Sequence, residues 1–215
     1  MEWEASTCLE NRTVAWFEEN ARTFAQREFQ AHEEVYGPLA SGQTPKALVI
    51  TCADSRIETR KLLQAAPGEI LELRNAGNVV PPDAHRGEAA TVELAVNLLQ
   101  VQDIILIGHT YCGIAITMQN PPEGMENLPS ISNWMAQWNK ARDKVNALDP
   151  PPTGDEWVNQ VVQENVALQL SHVAHIPQVK EAVEAGRLNL HGWVYHIESG
   201  MVSKLDPQTG QFNPL

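Results

Sequence analysis

Two short motifs in the sequence carry side chains that bind soft metal ions. The first is Cys52-x-Asp54-x-Arg56, and the second is His109-x-x-Cys112. Two thiolates and one imidazole suit zinc, and three protein ligands leave the fourth tetrahedral position free. Because structural zinc sites fill all four positions, Cys52, His109 and Cys112 predict a catalytic zinc site rather than a closed zinc knuckle.

Both motifs follow short apolar runs, at residues 47–50 and residues 104–107. Such runs, bounded by polar residues, are typical of buried strands in a parallel sheet. The reactive groups of open α/β sheets lie just beyond the carboxyl ends of the strands. We therefore expect Cys52, His109 and Cys112 to meet at the ends of two neighbouring strands.

Each motif taken alone has a simpler interpretation. A cysteine at the end of a buried strand often serves as a small apolar residue, and a His-x-x-Cys segment can be an inert loop. The alternative for Asp54 and Arg56 is a surface ion pair of little consequence. The joint occurrence of both motifs favours metal binding. In that setting Arg56 would keep Asp54 ionised through a charge-assisted pair.

The composition argues against several function classes. The net charge of −12 over 215 residues argues against nucleic-acid binding and against docking on an anionic membrane. There is no stretch of about 20 apolar residues that could cross a bilayer. The three cysteines are an odd number, which makes a poor disulfide framework and predicts a reducing, cytoplasmic location; a microcompartment or an organelle stays open.

Hydrophobic periodicity predicts an α/β fold, with a mostly parallel sheet, flanking helices, an antiparallel edge hairpin and an amino-terminal helical arm. We expect a single domain over residues 1–215, in which 1–40 form the arm and 45–215 the α/β core. The tail after residue 205 is expected to be ordered only if it docks. The predicted elements are helices at 11–36, 59–66, 87–99, 131–148, 164–172 and 178–185, and strands at 47–52, 70–73, 104–107, 188–197 and 201–205.

The chain resembles the β-class carbonic anhydrases nearly end to end. The resemblance rests on both metal motifs and on further blocks: Arg74-Asn75-Ala76-Gly77-Asn78, Val92-Glu93-Leu94-Ala95-Val96, Glu164-Asn165-Val166 and His191-Gly192-Trp193-Val194-Tyr195. It implies reversible hydration of CO2 to bicarbonate and a proton by zinc-bound hydroxide. The alternative is a carbonyl sulfide or carbon disulfide hydrolase, because relatives on this scaffold have those activities.

The resemblance also assigns roles to individual residues. It implies that Cys52, His109 and Cys112 bind Zn2+. It further implies that Asp54 and Arg56 form a hydrogen-bonded dyad, and that Asp54 becomes a fourth ligand when a closed state breaks the dyad.

Substrate and partner roles follow from the same resemblance. Gln43 resembles an amide that helps hold bicarbonate across a dimer interface, and we expect Gly113 to let the backbone approach the metal or a small ligand. Val49 and Thr51 replace the Trp and Gly of an inhibitory bicarbonate pocket, which indicates the plant-like branch. A homodimer or a higher even-numbered homo-oligomer is expected.

Some positions depart from the family pattern. Tyr111 stands where a small or charged residue is frequent, and Ile114 where Gly or Ala is commoner. Leu94 replaces a frequent Tyr, and His196 replaces a frequent Asp. The sequence identifies no single proton shuttle, and His85 and Tyr111 are both candidates.

Overall fold

The computed structural model describes residues 14–82 and 87–215. The chain divides into two compact units, Met1–Gln43 and Thr44–Leu215. The predicted shuttle candidate His85 and the remaining cysteine, Cys8, lie outside the described residues. None of the described helices is both long and apolar enough to cross a membrane.

The described part of the amino-terminal unit is helical, which confirms the predicted arm. It begins with helix α1 (Val14–Phe24) and includes helix α2 (Glu33–Tyr36), joined by short π and 3-10 turns. None of its described helical segments buries a residue. The ring of Tyr36 lies 5.7 Å from that of Phe24 and 5.6 Å from that of Phe29, so aromatic contacts hold the arm together internally.

The described residues of the second unit form a six-stranded sheet with the order β2-β1-β3-β4-β5-β6. The first four strands run parallel, while β5 and β6 are antiparallel to their neighbours. This confirms the predicted fold class. The strands are β1 (Ala47–Cys52), β2 (Ile70–Asn75), β3 (Asp103–His109), β4 (Asn189–Tyr195), β5 (Val202–Leu205) and β6 (Phe212–Pro214).

Strands β1 and β3 form the centre of the core. Every residue of β1 is buried, and most residues of β3 are buried as well. A strand that is covered on both faces must be apolar throughout, which is why the runs at 47–50 and 104–107 show no alternation. The two strands that end at the predicted ligands are therefore neighbours in the most rigidly packed part of the sheet.

The helices of the second unit cover both faces of the sheet. The helix predicted at 131–148 is divided by a 3-10 turn, Ala136–Trp138. The helix predicted at 87–99 continues beyond α4 as a π turn, Leu94–Leu98. The α-helices are α3 (Thr59–Leu63), α4 (Gly87–Glu93), α5 (Gly113–Gln119), α6 (Pro129–Met135), α7 (Asn139–Asn146), α8 (Gly154–His175) and α9 (Pro177–Glu184).

The predicted bounds of one long helix were too short. Helix α8 covers Gly154–His175 rather than 164–172, because Trp157, Val158 and Val161 extend its buried face toward the amino terminus. The tail adds strand β6 outside β5, with Phe212 paired to Leu205. The tail is thus ordered through docking on the hairpin.

Two glycines let helix α8 approach the sheet closely. A Cβ atom on Gly108 of β3 would lie 2.6 Å from Val166 of α8, and one on Gly192 of β4 would lie 3.0 Å from the same valine. Real atoms do not approach this closely, so the packing of α8 over β3 and β4 requires the absence of side chains here. This contact places α8 above the end of β3.

We predict that Gly108→Ala lowers the free energy of unfolding by about 1–3 kcal/mol, because the added methyl group overpacks the contact with Val166. Gly113→Ala is the matched control for stability, since a Cβ there meets no atom within 4 Å. Urea denaturation of both variants is the measurement. Equal losses in the two variants would contradict the packing described here.

Candidate metal centre

The carboxyl ends of β1 and β3 bring three buried ligand side chains together. Cys52 is the last residue of β1, His109 is the last residue of β3, and Cys112 directly precedes α5. Their ligand atoms all lie within 4.8 Å of one another, and all three residues are buried. The structure therefore brings together the three residues that the sequence predicted to converge.

The imidazole of His109 is oriented as a metal ligand requires. Its Nδ1 lies 2.9 Å from the carbonyl oxygen of Thr110, which can only accept, so Nδ1 carries the proton. The other nitrogen, Nε2, is buried and has no hydrogen-bond partner. An unpartnered acceptor in a dry position is costly unless a cation or a donor occupies the space in front of it. The residues present thus fit a divalent metal ion.

The two cysteines affect each other's pKa in opposite directions. The Cys112 thiol holds the pKa of Cys52 below its usual range by donating a hydrogen bond, and His109 and the Gly77 amide lower it further. The same contact with Cys52, together with burial, raises the pKa of Cys112. The lowered pKa of Cys52 favours its thiolate, which is the form that binds a metal cation.

The loop that follows β2 supplies a hydrogen bond to a ligand. The backbone N–H of Gly77 donates to Sγ of Cys52 over 3.3 Å. Trp138 lies against this glycine so closely that a Cβ would be 2.7 Å from its ring. Trp134 donates to the carbonyl of Ala76 (2.7 Å), and Asn165 donates to that of Gly77 (3.3 Å). The loop at residues 76–77 is therefore held in place from two helices.

Asp54 and Arg56 form a bidentate pair beside the cluster. Oδ1 of Asp54 accepts from Nε and from the backbone N–H of Arg56, both over 2.9 Å, and Oδ2 accepts from Nη2 over 2.7 Å. These bonds hold the pKa of the Asp54 carboxyl well below its usual range. Oδ2 also lies 3.8 Å from Nε2 of His109, so an ionised carboxylate faces the space that the ligand atoms enclose.

Arg74 fixes the backbone on either side of this pair. From the neighbouring strand β2, its Nε donates to the carbonyl of Cys52 (3.2 Å) and its Nη2 to that of Asp54 (2.9 Å). The sequence analysis named Arg74 only within a block that carries the family resemblance and predicted no contact for it. No periodicity reveals such a bond, because it depends on the register of β1 against β2.

Tyr111 adopts a left-handed backbone conformation, with φ of 55°. This region is unfavourable for a residue with a bulky side chain and costs on the order of 1 kcal/mol. Its N–H donates to Asn159 over 3.2 Å, and its carbonyl accepts from Arg56 over 3.1 Å. The conformation produces the tight turn that directs His109 and Cys112 to one point, and it explains why smaller residues suit this position.

The other predicted site residues contribute no ligand atom to the cluster. Gly113 is exposed at the first turn of α5, and a Cβ there would meet open space. Ile114 is 8% exposed and belongs to the core beneath that turn. Gln43 is the last residue of the amino-terminal unit, and its role stays a prediction.

A mostly parallel sheet with a buried cluster of two cysteines and one histidine at its strand ends defines an α/β protein with a candidate metal site. A family model described as carbonic anhydrase matches residues 47–202. Carbonic anhydrase 1 of Escherichia coli O157:H7 is 39% identical over 194 residues, which cover 89% of this chain and 88% of that protein.

Solved structures agree with this match. The β-carbonic anhydrase CcaA has a TM-score of 0.87 and 30% identity, and the match covers 93% of this chain and 90% of that one. One of two tetrameric β-carbonic anhydrases from Sordaria macrospora has a TM-score of 0.80 and 26% identity, with 94% and 100% covered. The chain belongs to the carbonic anhydrase family, in its β class, and it is an enzyme of the carbonate dehydratase type.

We predict that Asp54→Asn lowers the free energy of unfolding of the metal-free protein by about 1 kcal/mol near pH 6. This value is small because the Arg56 side chain is 47% exposed and solvent screens the pair. A carboxyl whose pKa falls on folding stabilises the native state above its unfolded pKa, about 3.9, and loses this contribution as the pH falls below it.

The difference between wild type and Asp54→Asn should therefore shrink as the pH falls from 6 to 3. Urea denaturation at a series of pH values measures it. A difference that stays constant over this range would show that the ionised pair is not its origin.

Proposed function

We propose that this protein is a zinc-dependent carbonic anhydrase that interconverts CO2 and water with bicarbonate and a proton. The observation that carries this proposal is the buried cluster of Cys52, His109 and Cys112, whose ligand atoms lie within 4.8 Å of one another. Membership of the family supplies the reaction, and this donor set supplies the preference for zinc.

Zinc in this cluster would supply Lewis-acid chemistry, which lowers the pKa of a water at the fourth position toward neutrality. Cys52 and Cys112 would hold the ion as thiolates and His109 through Nε2. Because thiolates donate more charge than imidazoles, the water should be less acidic than in a site of three histidines.

Asp54 is proposed to orient the attacking water. Each carboxylate oxygen can accept two hydrogen bonds, and Oδ2 receives only the Nη2 hydrogen bond of Arg56 among its described partners. Its remaining lone pair can accept a hydrogen bond from water in front of His109 and turn a water lone pair toward CO2. Arg56 keeps the carboxylate ionised, so that it acts as an acceptor and not as a donor.

Asp54 can serve instead as a fourth ligand in a closed state. Its Oδ2 lies 3.8 Å from Nε2 of His109, so a rotation that breaks the pair with Arg56 would bring it to the metal position. In the arrangement described here both oxygens bond to Arg56, which supports the proposal of an open state.

The substrate and assembly proposals depend on residues beyond the cluster. Gln43 is proposed to hold bicarbonate across a dimer interface, and Gly113 to allow close approach of substrate to the backbone. The exposed apolar side chains of α1, among them Val14 and Phe17, favour a homodimer or a higher even-numbered assembly. Tetrameric relatives from Sordaria macrospora support the same proposal. A cytoplasmic location is proposed from the cysteine content alone.

We predict that Cys52→Ser loses at least tenfold in zinc affinity and about a hundredfold or more in CO2 hydration, since a hydroxyl is a much weaker zinc ligand than a thiolate. Zinc content by mass spectrometry and stopped-flow hydration of CO2 are the measurements. Cys8→Ser is the matched control, because Cys8 stands outside both motifs and should leave zinc and rate unchanged.

A Cys52→Ser variant with full zinc and full rate would end the assignment. The same preparations distinguish the alternative reaction. Efficient release of hydrogen sulfide from carbonyl sulfide or carbon disulfide, with weak hydration of CO2, would favour the hydrolase.

A further inference from the structure

Thr110 connects the imidazole of His109 to the strand that follows in the sheet. The residue is 2% exposed, and each of its polar groups has a partner. Its carbonyl accepts from Nδ1 of His109 over 2.9 Å, and its N–H donates to the carbonyl of Tyr195 over 3.0 Å. Its hydroxyl donates to Glu198 over 2.6 Å and accepts the N–H of Ile197 over 3.0 Å.

Three of these four partners come from residues 195–198, where the chain leaves β4. Strand β4 is parallel to β3, with His109 opposite Tyr195. The Thr110 carbonyl, which fixes the tautomer of His109, is therefore held in place by residues at the end of β4 and not by its own loop. A displacement of Thr110 would move the acceptor of His109 and rotate the ring away from the two cysteines.

Glu198 is the charged residue among the hydrogen-bond partners of Thr110. Its side chain is 47% exposed, so the carboxylate remains hydrated while one oxygen reaches the buried hydroxyl. The hydrogen bond from Thr110 lowers the pKa of Glu198, which keeps it an acceptor. A hydroxyl that donates to a carboxylate is polarised and becomes a better acceptor for the Ile197 amide.

We propose that Glu198 is a positioning residue for the zinc ligand His109 and that it acts through the hydroxyl of Thr110. The proposal depends on the proposed function, since it takes His109 to be a zinc ligand. Groups that orient metal-bound histidines change metal affinity when they are removed, even though they never touch the metal. A turn that only stabilised the β4–β5 hairpin would not have this effect.

The test is the zinc affinity of the full-length protein, measured by competition with a chromophoric chelator. We expect Thr110→Val, which keeps the shape and removes the hydroxyl, to bind zinc about tenfold more weakly. Thr110→Ser restores the hydroxyl and should return to the wild-type affinity. Glu198→Gln keeps a neutral acceptor, so we expect a smaller loss of about threefold.

Glu69→Gln is the control for the loss of one negative charge. Glu69 precedes β2 at the opposite end of the sheet and pairs with Lys46 over 2.8 Å. The zinc affinity of the Glu69→Gln protein should equal that of wild type. The visible absorption bands of the cobalt-substituted proteins give a second readout, and a change in Thr110→Val that Thr110→Ser reverses would indicate an altered position of His109.

The outcomes separate this proposal from the proposed function. If wild type fails to bind one zinc per chain, the proposed function fails. If wild type binds zinc and Glu198→Gln matches its affinity and cobalt spectrum, the positioning role of Glu198 is overturned, whatever the result for Thr110→Val. Should Thr110→Val fail to fold, the comparison of zinc affinity between Glu198→Gln and Glu69→Gln is sufficient to test the positioning role of Glu198.

Discussion

The structure depends on keeping two sulfurs and one imidazole nitrogen close together in a place that excludes water. Thiolates that lie side by side repel each other, and burial penalises each charge. The protein offsets this cost with backbone N–H groups aimed at the sulfurs, from Gly77 toward Cys52 and from the start of α5 toward Cys112. The buried Nε2 of His109, which has no hydrogen-bond partner, completes a set of three ligand atoms that suits a cation.

The surrounding fold explains why this arrangement is rigid. Neighbouring parallel strands place Cys52 and His109 at the same edge, and α8 sits directly above because Gly108 leaves room for it. The same helix carries Asn165, which holds the loop that bonds Cys52. The packing of α8 against the sheet is thus coupled to the positions of the ligand residues. A shift of α8 would move Asn165, then Gly77, and through Gly77 the ligand Cys52.

The sequence predicted the ligands because their chemistry is local: each motif directly follows a strand, and strand ends converge by topology. It also predicted the parallel sheet, the hairpin and the arm from periodicity. It could not predict the contacts made by Arg74 or Gly77, since those depend on register and on side chains far away in the chain. Helix α8 was predicted too short because the prolines at 150–152 mark a break in the chain, and the helix resumes directly after them, at Gly154.

The sequence could not predict the left-handed backbone of Tyr111 either, because a bulky residue rarely adopts that conformation. Tyr111 lies in the chain between His109 and Cys112, and its backbone is hydrogen-bonded to the side chains of Arg56 and Asn159. Local strain at this position is consistent with a turn whose geometry is fixed by the ligands on either side and not by its own preference.

X-ray absorption spectroscopy at the zinc edge tests the central claim most directly, because it reports the atoms bound to the metal in the zinc-loaded protein. The account predicts one zinc per chain with two sulfur ligands at about 2.3 Å and two lighter ligands at about 2.0–2.2 Å, one of them an imidazole. A coordination shell with one sulfur or none would contradict it.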